Sequence, residues 1–325
     1  METLAPQEGV AEILAPVKPA VELARLDPAS VRACLARRQS LPTLPDVFTR
    51  LSKISTDPNA NLVDLAEVIS RDPVLTANVL KAANSAYLGL REHVTDLSSA
   101  IFFLGLADVK HIAMSVGSFD VFRVKGVSSE FLKDIWRHSL STALVAKQIA
   151  RSSRFPWVDD AYLAGLLHDI GKLFFATFYT TAYAPLCAEA ATGNSNPLEL
   201  EKHVFGMNHV EASKDLCEHW RLPPQVTQVA IHHHDPSQAK QDAAPMTLCV
   251  AACNVLAHHA LGDRPVDQQL PQAYRWLQQL SATGGRPELL TPAGIDPILK
   301  LEVERVKRFE DIVQQRVKAG ASLES

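Results

Sequence analysis

Apolar residues recur along most of this chain at intervals of three and four. Val47, Leu51 and Ile54 share one helical face, Leu62, Leu65 and Ile69 a second, and Leu75, Val79 and Leu80 with Ala83 a third. No stretch alternates convincingly with period two, so the pattern predicts helices and no sheet. A long helix is expected over 129–152, where Phe131, Ile135, Leu140, Leu144 and Ile149 form a broad apolar stripe. His138 interrupts that stripe and is therefore expected to face inward. Further helices are expected at about 158–168, 172–191, 197–205, 208–220, 224–234 and 244–261, joined by turns at Gly171, Gly193, Gly206 and Leu222-Pro223-Pro224. Start signals of the cap-then-proline kind stand at Asp27-Pro28, Asp72-Pro73 and Asn196-Pro197. The fold class is all-α: a multi-helix bundle with an N-terminal helical subdomain.

The periodicity also divides the chain. Residues 1–26, rich in Ala, Pro and Glu, lack sustained amphipathic spacing and are expected to be a mobile leader. Residues 27–261 carry the helical pattern and form the main domain. From 262 the chain turns polar and rich in Pro, Gly and Gln, a connection that leads to a final amphipathic helix marked by Ile298, Leu301, Val306, Phe309, Ile312 and Val313. That helix is expected to pack back on the domain or to pair with a second copy in a homodimer.

Composition narrows the functional classes. The chain has 325 residues, 47% of them hydrophobic, which is enough to bury a sizeable core. Against 32 Lys and Arg stand 36 Asp and Glu, a net charge of −4, and aromatic content is only 6%. A nucleic-acid surface needs a basic stripe with interleaved aromatics, so nucleic acid is not an expected partner. Arg305-Val306-Lys307-Arg308 is a short basic run that reads as a solvated helix face. No basic start followed by a long apolar run is seen, and no later segment looks apolar enough for a bilayer; a cytoplasmic protein with no membrane partner is expected. Cys34, Cys187, Cys217, Cys249 and Cys253 are odd in number and show no C-x-x-C, which points to buried thiols rather than disulfides or a zinc knuckle.

The candidate chemistry lies in the histidines. Leu166-Leu167-His168-Asp169-Ile170-Gly171-Lys172 sets an imidazole beside a carboxylate at the end of an apolar helix, with Gly171 read as allowing a sharp exit. Neighbours on a helix diverge by about 100°, but at a helix end both can meet one metal. An isolated pair of this kind is more often a cap or a surface accident. Here it has company: His138 upstream, then His209 after Gly206-Met207-Asn208, then His232-His233-His234-Asp235 behind the stripe Val226, Val229 and Ala230. Each alone reads more readily as a hydrogen-bonded core histidine or an exposed one.

In order and setting, this series resembles the HD superfamily, in which a helix histidine, an H-D pair and further histidines surround one or two metals. The resemblance makes His138 the first ligand, His168 and Asp169 the signature pair, His209 the next histidine, and His233 and His234 the paired histidines, with Asp235 nearby as support. Two departures stand out. The late aspartate expected in Val250-Ala251-Ala252-Cys253-Asn254-Val255 is Asn254, and Ser237 to Pro245 lacks the G-Y-P segment of cyclic-di-GMP phosphodiesterases. Leu41-Pro42-Thr43-Leu44-Pro45, Asp72-Pro73-Val74-Leu75, Ala82-Ala83-Asn84-Ser85 and Ala100 to Leu106 instead resemble the HDOD family of bacterial signalling proteins, over about 38–261. The first of these segments reads physically as a stiff lead-in, and Asn84 as a cap rather than a ligand.

The resemblance implies an HD-type helix bundle acting as a regulatory binding module that engages another signalling protein, without phosphodiesterase activity. The alternative is a metal-dependent phosphohydrolase, with Lys172 contacting phosphate and Asp235 accepting a proton. With Asn254 in place of a carboxylate, Asp169 is the one obvious anionic ligand, so one divalent transition metal (Fe, Mn, Zn or Ni) or none is expected, rather than two.

Overall fold

Capping side chains and prolines fix where the helices start. In the computed structural model, which describes residues 23–37, 46–56, 62–71, 73–84, 94–122 and 129–321, Asp27 opens α1 (Pro28–Ala36) by accepting from the Ala29 and Ser30 amides at 3.2 and 3.0 Å. Asn196 does the same for α11 (Pro197–Phe205), accepting from the Leu198 amide at 2.9 Å. Reciprocal bonds between Asn208 and Glu211, 3.0 and 2.8 Å, start α12 (His209–Trp220). Asp72, the remaining cap-then-proline signal, lies outside the described residues, as do the 41–45 lead-in and residues 1–22 of the leader. The leader's last residues are tied down: the Leu26 amide bonds the Val204 carbonyl at 2.8 Å and Arg25 bonds that of His203 at 3.1 Å.

The N-terminal layer comprises α2 (Asp46–Thr56), α3 (Leu62–Ser70), α4 (Pro73–Ala83), α5 (Leu97–Leu104) and α6 (Leu106–Phe122). Its core is Phe48, Leu51, Leu65, Ile69, Leu75 and Val79; all but Phe48 are positions that the spacing marks as one-sided, whereas Leu62, expected on the face of Leu65 and Ile69, is 47% exposed. Asn84 ends α4 and clasps the chain ten residues on. Its Nδ2 donates to the Val94 carbonyl and its Oδ1 accepts from the Val94 amide, both at 2.7 Å, so this asparagine is structural.

The second layer is built on α7 (Ser129–Ser152), whose Trp136, Leu140, Ala143 and Ile149 are almost wholly buried. Against it lie α6, α8 (Val158–Leu167), α14 (Ala244–Leu261) and α16 (Pro292–Ala321). Between α8 and α14 come α9 (Ile170–Phe178), α10 (Thr180–Ala191), α11, α12 and α13 (Pro224–His232). No strand occurs among the described residues. α14 is long and apolar enough to cross a membrane by length and composition alone, contrary to the expectation from sequence, but it is largely buried inside the bundle. Its apolarity serves the protein core.

Two elements differ from the expected pattern. The single helix expected over 172–191 is broken at Tyr179 (φ −136°, ψ 33°), because the turn there lets Tyr183 and Phe205 gather on Phe175, with ring centroids 5.3 and 4.4 Å away. The polar connection after residue 262 contains another helix, α15 (Leu270–Ala282). Its glutamines face solvent while Ala273, Leu277 and Leu280 pack on α14. The final helix packs back, with Ile295, Leu299, Val306 and Phe309 buried. In its basic run, Arg305 and Lys307 pair with Glu302 and Glu304 of the same helix at 2.9 and 2.8 Å.

Glu302 is fully buried in this seam, with Oε2 lacking a partner among the described residues. Burial pushes its carboxyl up from 4.5 to about 7, against the pull of Arg305 and Lys147. A carboxyl raised on folding stabilises fully below its unfolded value, and that contribution is lost as pH rises through about 7. Glu302→Gln is therefore expected to exceed the wild type in stability at pH 8 by on the order of 1–3 kcal/mol, with the difference shrinking toward pH 5. Urea unfolding at the two pH values checks this; a pH-independent difference would refute it.

Candidate metal centre

The helix break between α8 and α9 makes the centre possible. His168 closes α8 and Asp169 stands before α9 with φ −100° and ψ 19°, so the two side chains escape the divergence of an unbroken helix. His168 Nε2 ends 3.2 Å from Asp169 Oδ2. Gly171 contributes differently from the sharp exit expected of it. It sits within α9, and a Cβ there would fall 1.9 Å from the His209 carbonyl oxygen. Its missing side chain is what lets α9 meet the start of α12.

Around Asp169 the imidazoles converge from four elements. His209 Nε2 and His233 Nε2 lie 3.3 and 3.5 Å from Asp169 Oδ1, and His138 Nε2 lies 3.7 Å from Oδ2. His234 approaches through Nε2, 3.1 Å from that of His209. All six residues expected at the site, His138, His168, Asp169, His209, His233 and His234, are thus brought together. Two donor sets share the carboxylate: Asp169 with His209, His233 and His234, and Asp169 with His138 and His168, the donor atoms of each lying within 4.8 Å of one another.

Hydrogen bonds on the far side of the rings aim their nitrogens. His168 Nδ1 bonds the Gly165 carbonyl at 2.8 Å, and His233 Nδ1 bonds that of Ala230 at 3.2 Å. Both rings thereby carry the proton on Nδ1 and turn a bare Nε2 inward. Glu201 accepts from His209 Nδ1 and from the His209 amide, both at 2.7 Å, while the Tyr183 hydroxyl donates to its other oxygen at 3.0 Å. His168 Nε2, His233 Nε2 and Asp169 Oδ1 remain buried without a hydrogen bond among the described residues. Two imidazole nitrogens only 3.1 Å apart, at His209 and His234, also require a proton or a cation between them. These bare donors fit a borderline divalent ion.

Charge supports the same assignment. Burial opposes ionisation of Asp169, but His168 and Lys172, whose Nζ lies 2.5 Å away, hold its carboxyl well below the usual range. Burial drives His233 down to about 4 and His138 and His234 well below their ordinary value, so these rings are neutral at pH 7, as metal ligands must be.

Asn254 and His258 alter the His138 side. Asn254 Oδ1 is 2.9 Å from His138 Nε2, and His258, one turn further along α14, stacks on His138 at 3.7 Å. His258 Nδ1 in turn meets Asp263 at 2.7 Å. Neither His258 nor Glu201 was among the expected site residues. Each leaves a trace in the sequence, as a charged or titratable residue on an otherwise buried helix face beside Asn254 and Val255, or beside Leu200, Val204 and Phe205. Asp235 does not support the centre: it is exposed and caps the turn Pro236–Gln238.

The HDOD domain model matches residues 41–236. An uncharacterized protein of Treponema pallidum (strain Nichols) is 27% identical over 233 residues, 71% of this chain and 45% of that protein, so the chain spans less than half of that relative. An HDOD domain protein with unknown function from Geobacter sulfurreducens has a TM-score of 0.71 at 23% identity, covering 87% of this chain and 99% of its own. A candidate phosphohydrolase from Shewanella amazonensis SB2B gives 0.62 at 20%, covering 87% and 97%. A candidate signal transduction protein from Marinobacter aquaeolei VT8 gives 0.65 at 21%, covering 88% and 65%. These identities speak for the fold alone.

Gly171→Ala is expected to separate α9 from α12, costing about 1–3 kcal/mol or more by overpacking and displacing His209 from Asp169. Denaturant midpoints and the His209 imidazole NMR shifts test this; an unperturbed His209 resonance would contradict the close approach.

Proposed function

The chain belongs to the HDOD domain family, and from that footing we propose that it is a regulatory binding module whose buried pocket holds one divalent transition metal and does not turn over phosphodiesters. The observation that carries this reading is the 2.9 Å contact between His138 Nε2 and Asn254 Oδ1. An amide stands where the HD pattern has a carboxylate, and it engages the first histidine. In the set Asp169, His209, His233 and His234, by contrast, His233 Nε2 and Asp169 Oδ1 have no hydrogen bond among the described residues, and His209 Nε2 meets His234 Nε2.

One anionic ligand neutralises one dication poorly and two very poorly in a site this buried. The imidazole-rich donors suit Fe, Mn, Zn or Ni better than Mg or Ca. A bound ion would supply Lewis acidity toward an oxygen ligand. The chain's own residues fix the rest: Glu201 orients His209, the α8 and α13 carbonyls orient His168 and His233, and Lys172 holds Asp169 charged. In this reading the occupied pocket sets the arrangement of the helices around it, and a surface of the bundle passes that state to a second signalling protein.

A metal-dependent phosphohydrolase is the second reading, favoured by the donor set His138, His168 and Asp169 that shares its carboxylate with the first. The two separate by experiment. Metal per chain and cyclic-dinucleotide turnover are measured on the wild type and on Asn254→Asp. One metal or fewer with negligible turnover is expected for the wild type, and a higher stoichiometry for the variant. Two metals with steady turnover in the unmodified protein would make the enzyme the correct reading. Glu201→Gln, which keeps the shape and removes the charge behind His209, is expected to weaken metal binding by roughly 10–100-fold in a chelator competition.

A further inference from the structure

A cavity of about 440 Å³, within the range of small-molecule sites, opens beside Asp169. Phe131, Ile135 and Leu186 supply an apolar wall, and three cationic groups, Arg137, Lys172 and Arg264, line the cavity together with the carboxylates of Asp134, Asp169, Glu201 and Asp263. Two of the cationic groups have carboxylates of their own. Lys172 lies 2.5 Å from Asp169, and Arg137 lies 3.4 Å from Asp134. Arg264 has neither an ion pair nor a hydrogen bond among the described residues, although its Nε is buried. Asp263, next to it in the chain, is turned to His258.

Arg264 is held in place by the chain on both sides. Gly262 caps α14 in the left-handed region (φ 62°), with its amide on the His258 carbonyl at 3.0 Å. The bond from His258 to Asp263 then closes the turn. On the other side Pro265 sits against Gly193, itself at φ 77°, where a Cβ would fall 2.4 Å from the proline ring. The turn is thus clamped to α14 and to the end of α10, and its arginine lines the cavity. A largely desolvated guanidinium without a direct ion pair or hydrogen bond is costly, and its planar fork matches a phosphate or a carboxylate.

We propose that this cavity is a receptor for a small organic oxyanion, phosphate or carboxylate, anchored by Arg264, with Lys172 and Arg137 at its rim and its apolar body along Phe131, Ile135 and Leu186. The inference deepens the regulatory reading by giving the pocket a chemical input, and it can fail separately from it. Arg264 lies outside the segment matched by the family model.

Calorimetry on the full chain, with and without manganese, uses inorganic phosphate and benzoate as probes. One anion per chain is expected, bound at least roughly tenfold more weakly by Arg264→Gln and unchanged by Arg275→Gln, a substitution of an exposed arginine on α15. Tighter phosphate binding assigns a phosphorylated ligand, and tighter benzoate binding a carboxylate. In the wild type, phosphate or benzoate must also shield Arg264 from a dicarbonyl reagent, read by peptide mass spectrometry, a test that needs no folded variant. Saturable binding of neither anion, equal affinity in Arg264→Gln, or an unshielded Arg264 overturns the proposal. Metal per chain on the same samples reports on the one-metal reading alone.

Discussion

A single buried carboxylate organises this molecule. Asp169 is 1% exposed, and an isolated charge at that depth would shift its pKa and neutralise. Lys172, with its Nζ 2.5 Å away, keeps it ionised instead, and imidazoles from four different parts of the chain gather around it: α7 through His138, the end of α8 through His168, α12 through His209, and the end of α13 through His233. The helix break that frees Asp169, the glycine that lets α12 approach, and the carbonyls that orient the rings all serve that one group. Breaking a buried arrangement of this kind by removing one partner leaves an uncompensated charge, so it is far less tolerant than its modest net stabilisation suggests.

A second, partly buried polar assembly joins the two layers of helices. Asp159, at the start of α8, meets Lys110 and His111 of α6 at 2.5 and 3.0 Å, and Lys147 of α7 reaches Asp108 of α6 at 3.1 Å. Tyr162 of α8 donates to the His111 carbonyl at 3.1 Å, and the two rings lie 4.4 Å apart. α8 therefore begins at the seam with the N-terminal layer and ends at His168. A helix packed along its whole length, with Ala161 to Leu167 all buried, resists bending between those ends. The pocket and the N-terminal layer are mechanically connected through it.

What the sequence makes legible follows from which interactions are local. Caps at Asp27 and Asn196 are read off two or three adjacent residues, and the apolar stripe of α7 off one helix, so both agree with the structure. The six site residues were legible through a spacing shared with a known superfamily, since nothing local links His138 to Asp169. The break at Tyr179 was not legible, because it depends on Phe205 arriving from α11. Nor was the role of Gly171, which depends on a carbonyl of α12, or that of Asp235, which sits beside the histidines in sequence yet turns its side chain to the following turn. α15 was hidden by its glutamines, whose polarity masks an apolar face of three residues.

The pocket is asymmetric, and the asymmetry has a physical cause. On the α14 side the polar groups are partly closed on one another: His138 on Asn254, and His258 on Asp263, with the two imidazoles stacked face to face. Parallel rings at 3.7 Å direct their in-plane lone pairs alongside one another rather than toward a common point, so this pair is poorly arranged to share an ion. Opposite, the rings are steeply inclined or meet nitrogen to nitrogen. His168 and His233 stand at 88°, and His209 meets His234 at 3.1 Å with its proton already committed to Glu201. Lone pairs that converge on a carboxylate without protons between them are stabilised by a cation and by little else. An aspartate at position 254 would have to compete for His138 as a second anion near Asp169, at a cost only another dication could offset. The amide avoids that repulsion, satisfies the histidine, and leaves a centre with a single carboxylate, which favours one ion over two.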